Sequence, residues 1–255
     1  MKKVFLALVA IYAVFCTQHL SAQTQINQAS LSSGTYNITS PGSYILTSNL
    51  TVSAQGANAI YISTSNVDLN LNGFTVIGPL ACNGTSCNSS LASVGIESIG
   101  TNNEIHNGSI SGFYYDIYST SGSIHDMRLS SCVYCVFGTY LDVRHASVSG
   151  ATQDGIYALY STLSENVIGQ SYGIGITALN CSVLNNTVTG MNGSGISATS
   201  STVMSNTTNN NTGWGISMSN GYLGGNTMFN NTSGDQNLSG YAVTTKNNAC
   251  SKGAC

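Results

Sequence analysis

From residue 143 onward the chain copies itself every 20 residues, and few folds tolerate that. The segments "LDVRHASVSG", "STLSENVIGQ", "CSVLNNTVTG", "STVMSNTTNN" and "GYLGGNTMFN" align without gaps. Val143, Leu163, Val183, Val203 and Leu223 fill one column, and Val148, Ile168, Val188, Thr208 and Met228 another. Asn166, Asn186, Asn206 and Asn226 recur between them. A third apolar segment follows ("GIYAL", "GIGITAL", "GISAT", "GISMS"), led by Ile156, Ile176, Ile196 and Ile216. Three short β-type segments per 20 residues describe a solenoid coil, whose apolar side is buried by stacking on its neighbours. The Asn column suits bends, because Asn tolerates the left-handed region and its amide can bond along the stack. The Gly before each Ile suits a turn that needs positive φ.

Upstream the register continues with a step of 19: Ile105, Ile124 and Val143 in one column, Ile117 and Val136 in another. "NVDLNLNGFTVIG" (66–78) is an earlier unit, set apart by an insertion that contains "CNGTSC". The Asn ladder, the three-strand coil and openings such as "SPGSYILTSNLTV" resemble right-handed parallel β-helix proteins of the pectate-lyase-like superfamily over roughly residues 40–233. That resemblance implies an all-β solenoid, with extracellular glycan chemistry as its commonest use. It selects no enzyme family, because the polygalacturonase set (Asn-Thr-Asp, Asp-Asp, His-Gly, Arg-x-Lys) and a pectate-lyase signature are both absent.

Residues 1–22 read as a secretory leader: Lys2 and Lys3, the apolar run "VFLALVAIYAVF", then "HLSA" with cleavage after Ala22. The remainder divides into an N-terminal cap with first strands (23–65), coils (66–233) and a C-terminal cap (234–255). It is expected to be a secreted or cell-surface monomer with no membrane span. Arg128, Arg144, Lys246 and Lys252 against nine acids leave a net −5 after cleavage, a balance that disfavours nucleic acid as a partner. Cys82 with Cys87 and Cys250 with Cys255 read as small disulfide loops in an oxidising compartment. "CVYC" (132–135) reads as a local disulfide or two free thiols, and Cys181 has no evident partner.

Charge is unevenly distributed. Glu97, Glu104, Asp116, Asp126, Arg128, Asp142, Arg144, Asp154 and Glu165 lie between 97 and 165, as do His106, His125 and His145, whereas 166–234 carries none. Folding alone does not require this, since the coil is the same throughout. Two outward faces result. On the first, Glu97, Tyr118, Phe137 and Tyr157 occupy successive rungs, with Asp116 and Asp154 expected to flank them. Rungs about 4.8 Å apart make this an aromatic strip roughly 10 Å long. It suits stacking on sugar rings, or else stabilises neighbouring strands as a ladder.

The second face carries "IHDMRL" (124–129). His106, His125 and Arg144 occupy consecutive rungs, followed one position on by Asn107, Asp126, His145 and Glu165, with Arg128 on the next strand. As a catalytic set, His125 or His145 would act as general base, Asp126 would orient an imidazole, and Arg144 or Arg128 would neutralise a uronate carboxylate. As a structural set, the same groups form a charge-compensated surface. Ile124 and Leu129 should face the core, with Met127 near the bend. The sequence therefore points to a protein that recognises an extracellular polysaccharide or surface glycan, with lyase or glycoside hydrolase chemistry if it is an enzyme. The alternative is a non-catalytic structural or adhesive protein of the cell surface or matrix. No cofactor is required, and Ca2+ could bridge Asp116 and Asp154 if their loops converge.

Overall fold

The computed structural model describes residues 23–31, 34–82, 86–87, 92–245 and 247–251. Residues 1–22, expected to be a leader, and Cys255 lie outside the described residues, although Cys250 is itself disulfide-bonded. The chain winds as a parallel β-solenoid with three walls. The first wall stacks Tyr36–Ile38, Ile60–Ile62, Val94–Ser98, Tyr115–Ser119, Tyr134–Thr139, Ile156–Leu159 and Ile176–Leu179, and continues into the starts of Ile196–Met204 and Trp214–Gly224. The second includes Gly42–Leu46, Val67–Asn70, Leu141–Arg144, Thr162–Ser164 and Ser182–Leu184. The third includes Ser147–Ser149, Val167–Gly169, Thr187–Thr189, Thr207–Asn209 and Thr227–Phe229. In Glu104–Ser111 and Gly122–Ser130 a single strand bends from the second wall into the third.

The sequence columns are the structural register. Val143 pairs with Leu163 and Leu163 with Val183, while Ile156 pairs with Ile176 and Ile176 with Ile196. All of these are fully buried in one continuous core. The ladder also runs beyond 66–233 at both ends: Thr24–Ile26 pairs with Tyr44–Leu46, and Gly234–Thr244 pairs with Trp214–Gly224.

Two expectations about the turns are corrected. The left-handed residue at the bend between the second and third walls is not the recurring Asn but the residue before it: Asn107, Asp126, His145, Glu165, Asn185, Ser205 and Gly225 all have φ between 55° and 66°, save His145 at 52°. Asn166, Asn186 and Asn206 point inward instead. Asn166 Nδ2 donates to Asn186 Oδ1 and Asn186 Nδ2 to Asn206 Oδ1, each at 3.0 Å, and Asn206 Nδ2 donates to Asn226 Oδ1 at 3.1 Å. The ladder thus satisfies buried amides that the bend takes out of strand pairing. The glycines before Ile156, Ile176, Ile196 and Ile216 do not have positive φ. They are required by space: a Cβ on Gly155, Gly175, Gly195 or Gly215 would lie 2.5–2.7 Å from the carbonyl oxygen of the next coil.

Candidate functional site

Asp116 occupies that same tight column, between Gly95 and Cys135, so it faces the core rather than flanking the aromatic strip. It is fully buried. Its Oδ2 accepts from Ser130 N–H at 3.1 Å, while its Oδ1 has no hydrogen-bond partner. Burial pushes its carboxyl well above the usual range, and backbone hydrogen bonds from Phe113 and Ser130 only partly oppose this. A calcium ion bridging Asp116 and Asp154 would need both carboxylates on one surface, but Asp154 belongs to the outward column of Tyr115 and Tyr134. Burial also raises the Asp154 carboxyl, and the neighbouring Thr177 and Ile174 only partly oppose this. Among the described residues one set of three metal-ligand-type side chains converges, Asp116 with Cys132 and Cys135, and its two sulfurs are already joined in a disulfide. Cys82 and Cys87 form a second disulfide, and Cys181 is free and buried.

The aromatic strip lies on the first wall as the columns indicate. Tyr118 stacks on Phe137 at 5.8 Å and Phe137 on Tyr157 at 4.8 Å, with ring planes within 10°. Tyr115 and Tyr134 form a parallel file beside them at 5.6 Å. Phe137, the middle ring, has both faces covered, while Tyr118 and Tyr157 at the ends of the strip each stack on it by one face. Glu97, one rung below Tyr118, accepts from Asn58 Nδ2.

On the second wall the charged residues are paired throughout. His106 and His125 stack at 5.0 Å. His106 Nε2 lies 2.8 Å from Asp68 Oδ1. His125 is held at both nitrogens, Nε2 by Glu104 Oε1 at 2.6 Å and Nδ1 by Asp126 Oδ2 at 2.7 Å. The hydrogen bond from His125 is the main reason the Asp126 carboxyl is lowered. His145 Nε2 bonds Glu165 Oε2 at 2.7 Å, and its Nδ1 stands 3.6 Å from Asp126 Oδ1. Arg144 pairs with Asp142 and donates to Ser123 Oγ at 2.8 Å. Arg128 is exposed on the third wall and donates to Ser109 Oγ at 3.2 Å. Within "IHDMRL", Ile124 and Leu129 are buried as expected, and Met127, placed near the bend, is buried too.

Sequence reasoning missed two features. Asp68 pairs in register with Glu104, and beside Asp142 these line an open hollow of about 520 Å³ with Ser123 and Arg144. Aligning Leu69 with Ile105 across the disulfide-bearing insertion would have found it. The second feature is Tyr140 and Tyr160 at the corner between the first and second walls. They are stacked at 5.3 Å and are 62% and 52% exposed.

No family model matches this sequence, and no curated protein matches it. Solved structures do share its fold. The periplasmic alginate epimerase AlgG, as a double mutant, superposes with a TM-score of 0.52 at 12% identity, over 88% of this chain and 83% of that one. The enzymatically active domain of bacteriophage CBA120 tailspike protein 2 gives 0.52 at 15% identity, over 83% of this chain and 43% of that one. The Dettilon tailspike protein gives 0.51 at 14% identity, over 88% and 58%. Likeness at these identities shows the fold, and the chain is a right-handed parallel β-helix.

Proposed function

We propose that this protein is secreted or displayed at the cell surface and recognises an extracellular polysaccharide along the coils between residues 60 and 165. The observation that carries this reading is the hollow on the second wall. Asp68, Glu104, Ser123, Asp142 and Arg144 offer donors and acceptors at the regular rung spacing, which suits a chain of repeating sugar units. Fold likeness to an alginate epimerase supports polysaccharide as the ligand class. Two disulfides and the leader-like 1–22 segment support export. Among the described residues no helix is long and apolar enough to cross a membrane.

The reading is one of binding, with no catalytic step assigned. A general base needs a free lone pair within reach of substrate, and both nitrogens of His125 are engaged by carboxylates. Arg144 is likewise committed to Asp142 and Ser123. The test is a glycan array with the purified secreted protein, followed by reducing-end and unsaturated-product assays on every hit. Binding without product is the expected result. Product formation would restore a catalytic role to the patch, and an array without hits would overturn the polysaccharide reading.

A further inference from the structure

The corner between the first and second walls is a column in its own right. In register it runs Asn66, Asn102, Ser121, Tyr140, Tyr160, Asn180, Ser200 and Asn220. All except Ser121 have φ between 51° and 61°. Asn and Ser suit such a bend, since short polar side chains visit the left-handed region readily. A bulky residue there is an outlier, and backbone strain of this kind gathers at functional sites. Packing does not explain the two tyrosines, because both stand more than half exposed while the same bend is built from Asn or Ser above and below.

We propose that Tyr140 and Tyr160, with the depression beside them, form a binding subsite for an uncharged pyranose residue; this rests on the polysaccharide reading above and names its ligand class. The two rings are parallel within 15°, one rung apart, so each keeps one face that the other does not cover. Below Tyr140 the column holds the small Ser121. There a shallow depression opens, lined by Asn102, Ser121, Gly122, Asp142 and Thr162 along with the two rings. It shares Asn102, Gly122 and Asp142 with the larger hollow that contains Asp68, Glu104 and Arg144. An aromatic face packs against the C–H face of a pyranose, while carboxylates and amides bond its hydroxyls.

Charge selects the class. Three carboxylates, Asp68, Glu104 and Asp142, face the joined hollows against a single guanidinium, Arg144, which is already bonded to Asp142 and Ser123, and the neighbouring His106 and His125 are themselves held by Asp68 and Glu104. A uronate or sulfate would meet like charge with no uncommitted cation to receive it. A neutral sugar meets only hydrogen-bonding partners. This differs from the catalytic reading of the His and Arg columns, in which Arg144 or Arg128 would neutralise a uronate carboxylate.

The test is calorimetric titration of the secreted protein with neutral hexasaccharides (cello-, manno- and xylo-oligosaccharides) and with an oligogalacturonate of equal length. At least one neutral series should bind at least tenfold more tightly than the uronate. Tyr140→Ala with Tyr160→Ala should weaken that binding by more than tenfold, while Tyr140→Phe with Tyr160→Phe should keep it within about threefold. Tyr140→Asn with Tyr160→Asn, which restores the ordinary residue of the column, should lose binding yet melt no lower than wild type. A uronate preference overturns the ligand class. Neutral-glycan binding undiminished in the double Ala variant overturns the subsite alone, and a lower melting temperature in the Asn variant makes the pair structural. A wild type that binds none of these sugars, nor any glycan on the array, overturns the polysaccharide reading and this subsite with it.

Discussion

Replacing Asn186 by Ala probes what holds one coil to the next. Asn186 is fully buried in mid-stack. Its Oδ1 accepts from both the backbone N–H and the Nδ2 of Asn166 at 3.0 Å. Its Nδ2 donates to Asn206 Oδ1 at 3.0 Å and to Leu163 O at 2.9 Å. Truncation removes these four side-chain bonds and leaves the Asn166 N–H buried without its acceptor. At roughly 1 kcal/mol net for each of three bonds, with a penalty of about 1–3 kcal/mol for the buried donor that loses the fourth, the loss should be about 4–6 kcal/mol. Native-state hydrogen exchange is the suitable assay, because a solenoid's stability is a sum of local and nearest-neighbour contributions and need not report as one two-state transition. Protection of the Asn166 amide should collapse, and that of amides in the coils on either side should fall with it. Asn185→Ala, at the left-handed bend position one residue away, removes none of these bonds and serves as the control. A loss below about 1 kcal/mol for Asn186→Ala, or one equal to that of Asn185→Ala, would refute the ladder as a major contributor.

Other perturbations test the packing and the charged groups. Gly175→Ala would place a Cβ 2.6 Å from Gly195 O and against Val188, so it should cost about 1–3 kcal/mol by urea denaturation although its φ is not strained. Ile176→Asp would bury an unpaired charge at a site with no exposure and should abolish folding; a variant that melts like wild type would contradict the register. Burial raises the folded pKa of Asp116, so the folded state retains a proton that the unfolded chain releases as pH passes 3.8. Stability should therefore decline from that pH up to the folded pKa and level off above it, and Asp116→Asn should flatten the slope in a pH series of melting curves. The triple variant His125→Gln, Asp126→Asn, Arg144→Gln should keep its β-rich circular dichroism spectrum, because partly exposed ion pairs contribute about 0–1 kcal/mol each.

The amino-acid sequence by itself determined the solenoid and its register. A parallel stack repeats one environment at every rung, so each inward column must be filled by similar side chains, and Val143 to Leu223 or Ile156 to Ile216 display that repetition in one dimension. Whether an individual side chain faces in or out was legible wherever strict alternation held, as at Ile124, His125 and Leu129. It was lost at the start of the first wall, where two consecutive residues turn inward, as with Asp116 and Ile117 or Gly155 and Ile156. Asp116 therefore entered the core against its chemistry, and the glycines of that column proved to be small for want of space. Only the tertiary structure decided which charges meet. Asp68 and Glu104 lie 36 residues apart along the chain but one rung apart in space, and it is this stacking across the insertion that gives His106 its carboxylate partner, Asp68. It also sets the two exposed tyrosines of the corner beside the hollow, a proximity made by the winding of the coils and carried by no local motif.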